Sequence, residues 1–289
     1  MAVAPPGGDA GFSAPPPSRT ARELALRVVS ALVLAPLAAG VAYLGDWPFA
    51  IMWILAGAGT FWEWSTLSLG SVRTRAVVVG FAALAAAGML LGWGYPHAAL
   101  GLLAAGALAA ALVCQTVAPG WAFAGLLYAG TIVAAPILLR DDDTLGLTAV
   151  VLLFVVVWAT DIAAYFTGRA IGGPKLWPAV SPKKTWSGAL GGTVAAVVCA
   201  IAVAHVAGLP ARGAIGALAV ALSVASQAGD FLESAIKRRF GAKDSGALIP
   251  GHGGLMDRLD GFVAAALLAA LIGIMRGGLE APSRGLLIW

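Results

Sequence analysis

Residues 150–169 read VVLLFVVVWATDIAAYFTGR. The first ten are all hydrophobic, and a run this apolar over about 20 residues spans a bilayer core as a helix. Asp161 interrupts it. A carboxylate at such a depth costs a few kcal/mol (about 3) to insert and marks a functional site by default. The fold follows from the apolar run, and the question of function follows from the acid inside it.

The rest of the chain repeats the pattern. Of 289 residues 60% are hydrophobic and only 11% charged, with a mean hydropathy of +0.89. A soluble domain carries about a quarter charged residues. A membrane β-barrel is excluded as well, because its strands alternate in hydrophobicity over segments of about ten residues. The expected fold class is all-α, a polytopic helical membrane protein with about nine transmembrane helices.

The predicted spans are 25–44, 48–68, 76–94, 97–117, 120–139, 147–168, 187–208, 213–236 and 260–276. Between them stand turn-forming breaks such as GDWP (45–48), RDDDTLG (140–146) and GLPARG (208–213). In the Ala- and Gly-rich third to fifth spans, one re-entrant helix is an alternative. Cys114 and Cys199 lie inside apolar runs and read as small buried hydrophobes. Residues 1–20, rich in Pro, Gly and Ala, read as a disordered tail. Residues 21–145 form an N-terminal set of transmembrane helices. Residues 146–289 form a catalytic region with polar loops at 169–187 and 237–260.

Lys and Arg placement orients the chain. With a cytoplasmic N-terminus, 14 of the 18 fall on cytoplasmic segments; Arg140, Arg212, Arg276 and Arg284 fall outside. Both polar loops then face the cytoplasm. The expected location is the inner (plasma) membrane, multi-pass, with the active site on the cytoplasmic face.

Asp230 interrupts AVALSVASQAGDFLESAIKRR (219–239) much as Asp161 interrupts its own span. Both lie roughly 10 Å inside the cytoplasmic boundary, at about 1.5 Å per helical residue. Asp230, Glu233, Ser234 and Lys237 fall at i, i+3, i+4 and i+7 and share one helix face, as do Asp257 and Asp260. For one such acid an interhelical ion pair, for example with Arg169 or Lys237, is the plain alternative. Acids from three helices at one depth favour a site. Carboxylates from facing helices suit Mg²⁺, which takes part of its shell from phosphate oxygens.

The loops bring the opposite charge. GGPKLWPAVSPKKTWSG (172–188) carries Lys175, Lys183 and Lys184 beside the hydroxyls of Ser181, Thr185 and Ser187. KRRFGAKDSGALIPGHGGLMDRLD (237–260) adds five cations. Positive-inside bias and attraction to anionic headgroups account for the cations. They do not account for the interleaved Asp244, His252, Asp257 and Asp260. The mixture points to phosphate and metal chemistry. His252 either contacts phosphate or caps its loop. Walker, dinucleotide and zinc-protease motifs are absent from the sequence, and no nucleic-acid partner is expected.

The stretch Ser234–Asp260 resembles the signature of the phosphatidate cytidylyltransferases, S-x-x-K-R-x-x-x-x-K-D-x-x-x-x-x-P-x-H-G-G-x-x-D-R-x-D. Ser234, Lys237, Arg238, Lys243, Asp244, Pro250, His252, Gly253, Gly254, Asp257, Arg258 and Asp260 match it. QAGDFLES (227–234) and WATDIAAYFTGRAIGGPKLWPAVSPKKTWSG (158–188) are also similar to that family. The resemblance covers residues 155–265, and the N-terminal half matches only as a hydrophobic helical region.

The resemblance implies that CTP and phosphatidic acid give CDP-diacylglycerol and pyrophosphate with Mg²⁺, a second metal ion being left open. It implies catalytic roles for Asp230, Lys237, Arg238, Lys243, Asp244, Asp257, Arg258 and Asp260, with Asp230 and Asp257 as metal ligands. Asp161, Ser181, Lys183, Lys184, Thr185, Ser234, His252, Gly253 and Gly254 are the expected substrate-binding residues. A homodimer is also implied. A CTP-dependent lipid kinase and a cation-coupled transporter are the rival readings. The polar residues gather on one side of the C-terminal half, which favours an enzyme over a transporter.

Overall fold

The computed structural model describes residues 33, 35–70, 73–115, 118–246, 248 and 253–289. The tail at 1–20, the start of the first predicted span, and Pro250 and His252 of the signature lie outside the described residues.

In order, the helices are α1 (Ala35–Leu44), α2 (Asp46–Ser68), α3 (Arg73–Gly92), α4 (Pro96–Val113), α5 (Pro119–Arg140) and α6 (Gly146–Ile171). A hairpin of β1 (Lys175–Trp177) and β2 (Ser181–Thr185) precedes α7 (Trp186–Val206), α8 (Arg212–Arg239), α9 (Met256–Gly277) and a short α10 (Pro282–Leu287). Seven of these, α3 to α9, are long and apolar enough to cross a membrane. The 23-residue α2 is not among them, because Asp46, Glu63 and four tryptophans lower its hydropathy. Helix α9 begins four residues before the predicted span and so takes in Asp257. Neither α10 nor the hairpin was expected.

Helix α7 shows how the helices pack. Its buried residues are Gly188, Gly192, Ala196, Ala200 and Ala204, one every fourth position. Leu190, Val194 and Val198 point outward. Small residues inside and large ones outside invert the pattern of a soluble helix, as expected where lipid is as apolar as the core. Helix α6 takes advantage of the small face. A Cβ at Gly192 would stand 2.6 Å from the Thr160 carbonyl oxygen, so only glycine permits this approach. Elsewhere the core is aromatic: Trp53 of α2 stacks on Phe262 of α9 at 4.8 Å, and Phe154 of α6 packs against Phe262.

The hairpin occupies the polar loop after α6. Gly172 and Gly173, at φ 67° and 98°, turn the chain out of the helix. Lys175 then pairs with Thr185 and Trp177 with Ser181 in antiparallel register. The Thr185 hydroxyl accepts from Gly188 N at 3.1 Å and caps α7. The end of α6, the hairpin, the start of α7, the end of α8 and the start of α9 thereby meet at one end of the bundle.

The opposite end is tied by different residues. Arg140 Nε donates to the Ala42 carbonyl at 2.8 Å, and Arg284 Nε reaches Asp142 Oδ2 at 2.7 Å. Burial pushes the Asp142 carboxyl up, but donors from Thr144, Arg284 and Leu145 outweigh it and hold the group well below the ordinary carboxylate value.

Candidate active site

A cavity of about 500 Å³ lies between α6, the hairpin, α7 and α8. Asp161 and Asp230 reach it from α6 and α8, and Arg169, Lys175, Lys183 and Lys184 reach it from the polar rim. Lys184 Nζ contacts the Asp230 carboxylate and lies 4.6 Å from the centre of the Phe231 ring. Below them a ladder of hydroxyls joins the three helices. Thr160 Oγ1 donates to Ser223 Oγ at 2.9 Å, Ser223 and Thr193 hydroxyls are 3.1 Å apart, and Gln227 Nε2 donates to Thr193 Oγ1 at 3.2 Å. Polar side chains inside an apolar bundle find one another because lipid offers no partner. The ladder fixes the helices that present the acids.

Helices α8 and α9 approach closely enough that a Cβ at Gly229 would stand 2.5 Å from the Asp260 carbonyl oxygen. This approach sets the start of α9, with Asp260, against the turn of α8 that carries Asp230. One to two turns further along α8, Lys237 Nζ sits 2.6 Å from both Asp257 Oδ1 and Glu233 Oε2. Glu233 is fully buried, and its contact with Lys237 is an ion pair without hydrogen-bond alignment. Asp257 Oδ2 also accepts from Ser245 N at 3.0 Å and Gly254 N at 2.9 Å. The result is an alternation of charge, with lysines between acids, running from the cavity along the α8–α9 seam.

The sequence-predicted residues fall into three groups. Asp161, Lys183, Lys184, Thr185 and Asp230 share the cavity. Thr185 is buried and spends its hydroxyl on the α7 cap. Ser181 is half-buried in the hairpin and Ser234 half-buried on α8. Lys237, Asp257, Asp260 and Gly254 form the α8–α9 seam, with Gly253 at φ 80° beside them. Arg238, Lys243, Asp244 and Arg258 are exposed at its rim. His252 lies outside the described residues.

Asp230 and Asp257, the expected metal pair, each contact a lysine, Lys184 and Lys237. Asp257 is also engaged by two backbone amides. Two residues were not in the expected set. Glu233 belonged to the predicted stripe and is part of the seam. Glu63 comes from α2 and accepts from Leu255 N and Met256 N. A lone acid in an apolar span marks it, the same signal that singled out Asp161.

A family model and several known proteins match this chain. The model of the cytidylyltransferase family matches residues 25–275. The phosphatidate cytidylyltransferase of Brucella suis biovar 1 (strain 1330) is 44% identical over 263 residues, covering 90% of this chain and 97% of that protein. That of Brucella abortus biovar 1 (strain 9-941) is 45% identical over 253 residues, covering 86% and 93%. That of Bacillus subtilis (strain 168) is 46% identical over 126 residues, or 43% of this chain and 47% of that one.

Proposed function

We propose that this chain, which belongs to the cytidylyltransferase family, transfers the cytidylyl group of CTP to phosphatidic acid, giving CDP-diacylglycerol and pyrophosphate. A phosphate oxygen of the lipid attacks the α-phosphorus of CTP, and the bond from that phosphorus to the β-phosphate oxygen breaks. The lipid phosphate is already ionised near neutral pH, so no general base is required. The chemistry then rests on positioning two polyanions and neutralising the charge that moves to the leaving group.

The observation that carries the reading is the cavity with Lys183, Lys184, Arg169 and Lys175 above Asp161 and Asp230. Its cations suit phosphates, and its place among membrane-spanning helices suits a lipid. Lys237 on the seam and the exposed Arg238, Lys243 and Arg258 extend the same charge. Nine crossings with a cytoplasmic N-terminus put this end of the bundle where CTP is found. Assembly as a homodimer goes with the reading as a further proposal.

A divalent cation fits the acids that α8 and α9 bring to their close contact, Asp230 on one side with Asp257 and Asp260 on the other. Among the described residues no group of three or more His, Cys, Asp or Glu is arranged to hold an ion. Mg²⁺ needs only one or two carboxylates when substrate phosphates complete its shell. When bound there it would neutralise charge on the transferring and leaving phosphates.

The test is pyrophosphate release from CTP by the purified protein in phosphatidylcholine vesicles with and without phosphatidic acid. Release only with phosphatidic acid is expected. Equal release in both, or none in either, contradicts the proposal.

A further inference from the structure

We propose that Glu63, a residue of the N-terminal half, is a positioning residue for the active site, holding in place the start of α9, which carries Asp257. The inference rests on the reaction proposed above.

Glu63 lies in α2, is only 2% exposed, and stands some 190 residues before the segment it binds. Its Oε1 accepts from Leu255 N at 2.9 Å, and its Oε2 accepts from Met256 N at 2.8 Å and from Ser245 Oγ at 3.1 Å. Leu255 and Met256 open α9, where backbone N–H groups have no partner within the helix and favour an anion. The neighbouring amides, Ser245 N and Gly254 N, go to Asp257. Four backbone donors at the two ends of one loop are therefore shared between two carboxylates, one from α2 and one from α9.

The two described ends of the loop pack closely against Glu63. A Cβ at Gly246 would stand 2.6 Å from Glu63 Oε1. One at Gly254 would stand 2.6 Å from Glu63 Oε2 and 2.0 Å from Ser245 Oγ. Both glycines flank the carboxylate at distances a side chain does not tolerate. Asp257 in turn holds Lys237 at 2.6 Å. Among the described residues Glu63 bonds to none of the groups that line the cavity; it acts through the start of α9, which sets Asp257 and through it Lys237.

Glu63→Gln preserves volume but turns an NH₂ group towards either the Leu255 or the Met256 amide, so one donor faces another. In detergent-purified full-length protein, hydrogen exchange of peptides within 243–258 is expected to accelerate roughly tenfold or more, with α6 and α7 peptides unchanged. The kcat for pyrophosphate release is expected to fall about tenfold or more, with the KM for CTP within about twofold of wild type. Glu63→Asp, which keeps both oxygens, is expected to recover part of both.

Wild-type exchange in 243–258 overturns the proposal, and so does faster exchange with unchanged kcat. Accelerated exchange throughout α6 and α7, or a kcat that merely tracks the folded fraction, makes Glu63 a general stabiliser and overturns it too. A wild-type protein that releases no pyrophosphate defeats the proposed reaction instead, and the exchange result still decides whether Glu63 holds the loop.

Discussion

Asp257 accepts from Lys237 and from the Ser245 and Gly254 amides at once, so its charge is matched by one cation and two dipoles. Asp257→Asn would put an NH₂ group against at least one of those donors and leave Lys237 with Glu233 alone. The expected outcome is a loss of about 100-fold or more in kcat, the size seen when a charge-stabilising group is removed. Protein yield in the membrane fraction is expected to match wild type. Pyrophosphate release per mole of purified variant checks this, and wild-type turnover would contradict it. At this scale the sequence was most readable where a charge interrupts hydrocarbon, as at Asp161 and Asp230. Glu63 carried the same signal but stands among tryptophans near the end of its helix, where an acid reads as interfacial. Its partners, 182 to 193 residues away, have no local trace in the sequence.

Helix α7 decides the shape of the cavity wall, since its small stripe lets α6 come within contact of Gly192. Gly192→Leu would insert a branched side chain where a single Cβ already meets a carbonyl oxygen. Overpacking of this kind costs about 1–3 kcal/mol, so a lower melting temperature and a widened α6–α7 seam are expected. Val194→Leu, on the outward face, is expected to leave melting unchanged. Thermal unfolding in detergent distinguishes the two, and equal effects would contradict the packing described. The long helices were legible because hydrophobic runs of this length have one stable form in lipid. The hairpin was not. Strands of three and five residues rich in Lys and Pro carry no periodicity, and their pairing depends on the turn at 178–180, where Val180 N donates to the Trp177 carbonyl at 3.2 Å.

At the scale of the whole molecule, charge divides the bundle. The cavity and seam carry Lys and Arg at one end, while Asp142 and Arg284 close the other. If the basic end is cytoplasmic, as positive-inside bias predicts, a single cysteine at exposed Lys243 reacts with a membrane-impermeant maleimide only in inverted membrane vesicles. A single cysteine at Arg284 reacts only in intact cells stripped of their outer layers. The opposite pattern would reverse the orientation, and labelling of both from one side would contradict a membrane-crossing bundle.

The central claim is the transfer itself. The measurement is made with purified protein, Mg²⁺, phosphatidic acid and CTP labelled at either the α- or the γ-phosphorus, with the lipid and aqueous phases counted separately. The α-label is predicted to move into the lipid phase while the γ-label leaves as pyrophosphate, and Asp230→Asn should stop both. A γ-label entering lipid, or an α-label remaining in water as CDP, would contradict cytidylyl transfer and identify a kinase instead.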